Sequence, residues 1–246
     1  MSLNYTTYVD QVANLLVIGS TNANFQTMLP GMIDYAEQRI YRDLSFNNTT
    51  VTDTTVTTVA NNRYATLPQT VSGSTTGFYT VVNMNVLTPA GALSSNGTRN
   101  PVARSWQKIV DFLYPTNTAV SSLSVPSVYA LIGSTTPSVN AVQIMFGPAP
   151  GDAFTIEVTG TIRPTPLSSV NTTTFLTNYF PDLFIVASMV FGAGYMRDFG
   201  QQSDNPGMSQ SWETQYKSLL QSAKLEQTRS RYEENVDGRT TGGSEL

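Results

Sequence analysis

Val142-Gln143-Ile144-Met145-Phe146-Gly147-Pro148-Ala149-Pro150-Gly151-Asp152-Ala153-Phe154-Thr155-Ile156-Glu157-Val158 holds two short runs in which every second residue is apolar. Val142, Ile144 and Phe146 make the first run, and Phe154, Ile156 and Val158 the second. A period of two is that of a strand buried on one face. The Gly/Pro-rich stretch between the runs predicts their hairpin loop. Upstream, Val82, Met84 and Val86 alternate with Asn83 and Asn85 in the same way. Further strands are expected over Thr50–Ala60, Arg63–Leu67 and Val128–Ile132. Val51 and Val56 are out of phase, which predicts a bulge or turn near Asp53. Trp106–Leu113 reads as a short helix closed by Pro115. Strands separated by hairpin-length gaps predict an antiparallel sandwich or small barrel for the middle of the chain.

Outside this β region the period changes to that of a helix. Thr7 followed by Asp10 approximates a capping box, and Tyr8, Val12, Leu15 and Leu16 form a stripe that ends at Gly19. Asn22-Ala23-Asn24 predicts a turn, with Pro30 opening a second helix along Leu29, Ile33, Ala36, Ile40 and Leu44. After Arg163 a Pro/Ser/Thr/Asn stretch reads as a linker. Pro181 then starts a helix with Leu183, Val186, Ala187, Val190 and Phe191 on its buried side. Asn205-Pro206 starts the last one, striped by Met208, Trp212, Tyr216, Leu219, Leu220 and Ala223, with Glu213 and Lys217 paired across one turn. The stripe fades after Leu225 while charge accumulates, and 238–243 cannot pack a core. The expected fold is α+β: a helical layer from both chain ends (two N-terminal and two C-terminal helices), a central antiparallel β-sandwich or barrel insertion, and an extended C-terminal tail. The expected domains are 1–46, 47–165, 166–228 (packing with 1–46) and 229–246. Neither helical pair has enough apolar residues to fold alone.

Composition narrows the function. Charged residues make up 12% of the 246 residues, about half the usual share, and Thr, Ser and Asn replace them. Such a neutral, hydrogen-bonding surface suits a protein packed against other proteins. The net charge of −4 does not call for nucleic acid as a tight partner. There is no His and no Cys, which removes the commonest general base, the commonest zinc ligands and thiol chemistry. No Gly-x-Ser-x-Gly elbow or phosphate loop occurs. Asp34 with Glu37, and Asp152 with Glu157, are the nearest to a glycosidase pair, and solvated faces explain both. Glu233-Glu234-Asn235-Val236-Asp237 lacks the ligand spacing of a calcium loop. Gly192-Ala193-Gly194 lies within a helix and reads as small residues for close packing. No catalytic, cofactor-binding or metal-binding residue is therefore expected, and no cofactor. Met1-Ser2-Leu3-Asn4-Tyr5 lacks a signal-peptide pattern, and Phe180–Met196 is too short and too charged at its ends for a membrane span. Folding in the cytoplasm without a membrane is the expectation.

Three stretches together resemble a known family. Phe25-Gln26-Thr27-Met28-Leu29-Pro30-Gly31-Met32-Ile33 runs on into Asp34-Tyr35-Ala36-Glu37-Gln38-Arg39-Ile40-Tyr41-Arg42-Asp43-Leu44. This is similar to the opening of the head-to-tail adaptor (connector) proteins of short-tailed, podovirus-type double-stranded DNA phages. Ile144-x-Phe146-x-Pro148-x-Pro150 with Phe154-x-Ile156-x-Val158 resembles a second landmark. Phe175-Leu176-Thr177-Asn178-Tyr179-Phe180-Pro181-Asp182-Leu183 resembles the family's entry into its C-terminal helices, with Phe180 inserted before the proline. The resemblance implies a virion structural protein assembled in the host cytoplasm. Its implied partners are identical subunits in a ring of twelve, the portal protein, tail nozzle or fibre proteins, and DNA in transit, held weakly and non-specifically. Another virion component (tail tube, nozzle or fibre attachment) and a glycan-binding β module are the competing classes. An aromatic-lined groove would favour the latter, and two unlike contact faces the ring. The local basic pairs Arg39/Arg42 and Arg229/Arg231, with Tyr232 and Arg239, are the expected portal or subunit contacts, with ion pairing at helix ends as the plainer reading.

Overall fold

The structure, a computed structural model, describes residues 3–46, 49–121, 124–133, 141–198 and 207–240, with only the backbone described at 195–198, 207–209 and 230–240. The chain is mixed α+β and divides into two compact units, one of 1–45 with 166–246 and one of 46–165.

The first unit is helical: α1 (Tyr5–Leu15), α2 (Ala23–Asp43), α4 (Phe175–Tyr179), α5 (Pro181–Asp198) and α6 (Gly207–Thr240). α1 begins before the expected cap. Asn4 is the N-cap and Thr7 closes a capping box with it as the third helical residue. Tyr8, Val9, Val12, Ala13 and Leu16 are buried, but Leu15, placed in the stripe by the sequence, is 43% exposed. α2 also starts early, capped by the Asn22 side chain, so Pro30 lies inside the helix rather than at its start. A proline there forfeits only one hydrogen bond, and packing offsets the loss: Met28, Leu29, Met32 and Ile33 on either side of it are all buried. The linker region contains a short helix, α4, held by a second capping box between Thr174 and Thr177.

α5 is the centre of this unit, packing against α1, α2, α4 and α6. Tyr8 of α1 is fully buried, stacks on Phe184 at 4.9 Å and donates to the Ser188 hydroxyl at 2.8 Å. A side chain at Gly192 would stand 3.3 Å from both Leu16 and Met32. The glycine thus permits close approach of α5 to α1 and α2, the packing role read from the sequence. α6 does not end where its apolar stripe fades. It continues to Thr240, so the segment expected as an extended tail from Arg229 is helical over most of its length. Glu and Arg, frequent in this stretch, are good helix formers, which suits a helix that outruns its apolar stripe. The expected start at Asn205-Pro206, and 241–246, lie outside the described residues.

The second unit holds two four-stranded sheets, ordered β1-β8-β3-β4 and β2-β7-β6-β5. The strands are β1 (Thr50–Thr57), β2 (Tyr64–Thr66), β3 (Thr80–Thr88), β4 (Thr98–Pro101), β5 (Ala103–Arg104), β6 (Val128–Gly133), β7 (Val142–Gly147) and β8 (Thr155–Thr161). All pairings are antiparallel except β5 with β6, and the sheets do not close into a barrel. The irregularity expected near Asp53 is present between Asp53 and Val56. The hairpin expected at Gly147–Asp152 is not: β7 and β8 belong to different sheets, so this loop crosses between them. Ile144, Phe146, Ile156 and Val158 nonetheless point into one core with Val81, Met84, Val86 and Tyr129. Alternation identifies an inward face but not the sheet that bears it. A bulge between Val81 and Asn83 also shifts the phase of β3, which buries Val81 and leaves Val82 62% exposed.

Candidate functional site

Arg39 is the best-connected of the expected contact residues. One turn before the end of α2 its Nη2 donates to Glu213 Oε1 of α6 at 2.7 Å, and Nη1 donates to the Tyr35 hydroxyl at 3.2 Å. The guanidinium lies over the Tyr216 ring, 4.0 Å from its centroid. Tyr216 is fully buried and donates its hydroxyl to Asp43 Oδ2 at 2.7 Å. Burial and the Asp43 carboxylate raise the Tyr216 pKa. The hydrogen bond from Arg39 holds the Glu213 carboxyl below the usual range. Lys217 adds a second cation to Glu213 at 3.4 Å, the pair read from their spacing. This network fastens α6 to α2, so Arg39 already has partners within its own chain.

Of the other five residues, Arg42 and Arg229 make no described bond to that network. Arg42 is exposed, its Nε donating to the Gln38 carbonyl at 3.1 Å. Arg229 is exposed on α6. Arg231, Tyr232 and Arg239 lie on the helical backbone of α6, and their side chains are outside the described residues. Of the two carboxylate pairs, Glu37 is buried and accepts the Leu167 N–H at 3.0 Å. Burial pushes it up to about 7, helped by Asp34 and opposed by that hydrogen bond. Glu157 is held below the ordinary range by Arg99, which donates to both of its oxygens, at 2.8 and 2.9 Å. Each carboxylate is committed to a structural bond. Among the described residues no cluster of acids has metal-binding geometry, and no helix is long and apolar enough to cross a membrane.

The most conspicuous surface feature was not read as such from the sequence. α3 (Gln107–Leu113) rests on the outer side of β6 and β7 through Val110, which is fully buried with Ala130 and Met145. A side chain at Gly147 would collide with Val110 and Tyr114, so the glycine lets α3 sit close. Among the polar Gln107, Lys108 and Asp111, the large apolar side chains of this segment are exposed: Trp106 at the helix cap is 80% exposed and Phe112 84%, with Ile109 at 46% and Leu113 at 55%. An element that exposes this many large apolar side chains is a candidate contact surface. The available signal was the spacing of Trp106, Ile109, Phe112 and Leu113, which leaves one helical face for the core and another for a partner.

A family model described as SU10 adaptor protein matches residues 3–240. The chain belongs to that family. The match takes in both helical ends and the whole β unit of the adaptor. It makes the chain a phage structural protein of the virion neck that contacts other virion proteins, and it points away from catalysis. The adaptor has no match among curated proteins.

Proposed function

We propose that this adaptor forms a ring of identical subunits, twelve in number, that joins the portal to the tail nozzle or fibres and extends the DNA channel. The match over residues 3–240 carries the reading. The outward apolar face of α3 supports it, because a ring subunit needs surfaces for its neighbours beyond those that stabilise its own fold. The low charge and Thr-rich surface suit a protein surrounded by other proteins. At a net charge of −4 per subunit the ring is acidic, so DNA passes through without being held. Assembly takes place in the host cytoplasm. Native mass measurement and particle imaging of the purified protein, alone and mixed with portal, test the proposal. A twelve-subunit ring docked on portal is expected. A protein that stays monomeric and unattached in the presence of portal overturns it.

A further inference from the structure

The β unit contains a pocket of about 620 Å³ between the start of β7 and the segment joining β2 to β3. Leu67, Pro68, Phe78, Ala141 and Val142 supply apolar walls, Gln69 and Thr76 supply polar groups, and Tyr79 and Arg163 complete the lining. This volume lies within the range of small-molecule sites, as does the combination of apolar walls with a few polar groups. The walls are braced. Leu67 donates its N–H to Val142 at 2.9 Å, Tyr79 donates to Thr161 at 2.8 Å, and the Ser74 hydroxyl donates to the Arg163 carbonyl. A side chain at Gly77 would collide with the Pro68 carbonyl, so only glycine allows the two sides of the connecting loop to approach this closely.

Arg163 sets the chemistry. Elsewhere Arg39, Arg63 and Arg99 each meet a carboxylate, at 2.7, 3.1 and 2.8 Å. Arg163 is partly buried and meets none among the described residues. Among the described residues its Nη1 is buried without a hydrogen-bond partner, as are Nε and Nη2 of Arg63, and the Arg163 guanidinium lies 5.0 Å from the centroid of the Tyr79 ring. Among the described residues no acid lines the pocket. A partly buried guanidinium without a counter-charge is costly, and a carboxylate answers its planar pair of donors best. Tyr79, 70% exposed, and Phe78 offer ring faces on which the body of a ligand can rest.

We propose that this pocket binds a small carboxylate-bearing ligand of about monosaccharide size, its carboxylate on Arg163 and its body against Tyr79 and Phe78. A ring-sized acid fits with water around it in about 620 Å³ and is the occupant proposed, an aspartate or glutamate of a partner protein being the alternative that the test distinguishes.

Titration calorimetry and aromatic-resonance NMR on the full chain test this with two matched pairs, glucuronate against glucose and capped glutamate against capped glutamine. Glucuronate is expected to bind at least tenfold more tightly than glucose and than capped glutamate, and to shift the Tyr79 and Phe78 resonances. Arg163→Gln should remove that preference, and Tyr79→Ala, at an exposed position, should weaken binding several-fold without loss of fold. Equal binding of glucuronate and glucose, or no binding of either acid at tens of millimolar, overturns the proposal. So does unchanged glucuronate binding by both variants. A preference for capped glutamate reassigns the pocket to a partner's side chain and overturns the small-molecule reading. The outcome is independent of ring formation, since the pocket lies within one chain.

Discussion

Glu37 is the buried carboxylate whose charge state matters most to the helical unit. It is 4% exposed and receives the N–H of Leu167, where the chain returns from the β unit. Its pKa is raised from 4.5 to about 7, whereas the unfolded chain releases this proton near 4.5. Between those values the folded protein binds more protons than the unfolded one, so stability contributed by this site falls as pH rises through the window. At about 1.4 kcal/mol per pH unit the loss is on the order of 3 kcal/mol at most. Glu37→Gln keeps an acceptor for Leu167 and removes the titration. Melting temperature followed from pH 4.5 to 8 should decline more steeply for the native protein than for the variant, and parallel curves would remove Glu37 as the cause. Arg39 makes a second prediction. Arg39→Ala removes an ion pair, a bond to Tyr35 and a contact over Tyr216, so denaturant titration should show a loss of about 1–2 kcal/mol. Little of this was legible beforehand. Glu37 and Arg39 both fall on the polar side of α2 when that helix is read alone, and only Leu167 and α6, more than 120 positions later in the chain, make that side interior.

At the scale of elements, periodicity located the strands and helices better than it located their ends or neighbours. Asn4 and Asn22 cap earlier than Thr7 and Pro30 suggested, because side-chain capping by asparagine outranks weaker start signals downstream. β7 and β8 were visible as strands, yet their assignment to separate sheets depends on the partners β6 and β3. β4, β5 and α4 are too short for a periodic signal. α3 was legible as a helix but not as a surface, since apolar residues in a short helix are read first as core. Its exposure yields a third prediction. Trp106→Ser with Phe112→Ser should leave the unfolding free energy nearly unchanged, within about 0.5 kcal/mol, because neither side chain is buried. The same pair should reduce association between subunits or with a neck partner, read as a lower assembled fraction in sedimentation. Undiminished assembly would deny the α3 face any interface role.

The whole molecule is a helical unit built from both chain ends with a β unit between them in sequence, a layout that followed from the change of period near residues 47 and 165. Its least self-sufficient part is the last stretch of α6. Up to Gln227 the helix is tied to its own unit: Tyr216 and Ala223 are buried, and the Gln227 side chain donates to the Ser45 carbonyl at 3.1 Å. Beyond that point the sequence interleaves Arg229, Arg231, Tyr232 and Arg239 with Glu233, Glu234 and Asp237, without an apolar stripe. A helical stretch whose sequence lacks an apolar stripe is suited to order against another protein through charge-assisted bonds and one aromatic anchor. Repeated around a ring, such weak contacts would gain by avidity. The described bonds that hold α6 to α2 all lie before residue 229, so deleting 229–246 should move thermal melting by no more than a few degrees. Co-sedimentation with portal should fall to background if this segment is the docking element. Normal docking by the truncated chain would show instead that the end of α6 only prolongs the helix, and would shift the search for the portal contact to Arg42 and the α3 face. Unfolding of the truncated chain would place 229–246 within the stabilising core of the helical unit, against its polar sequence.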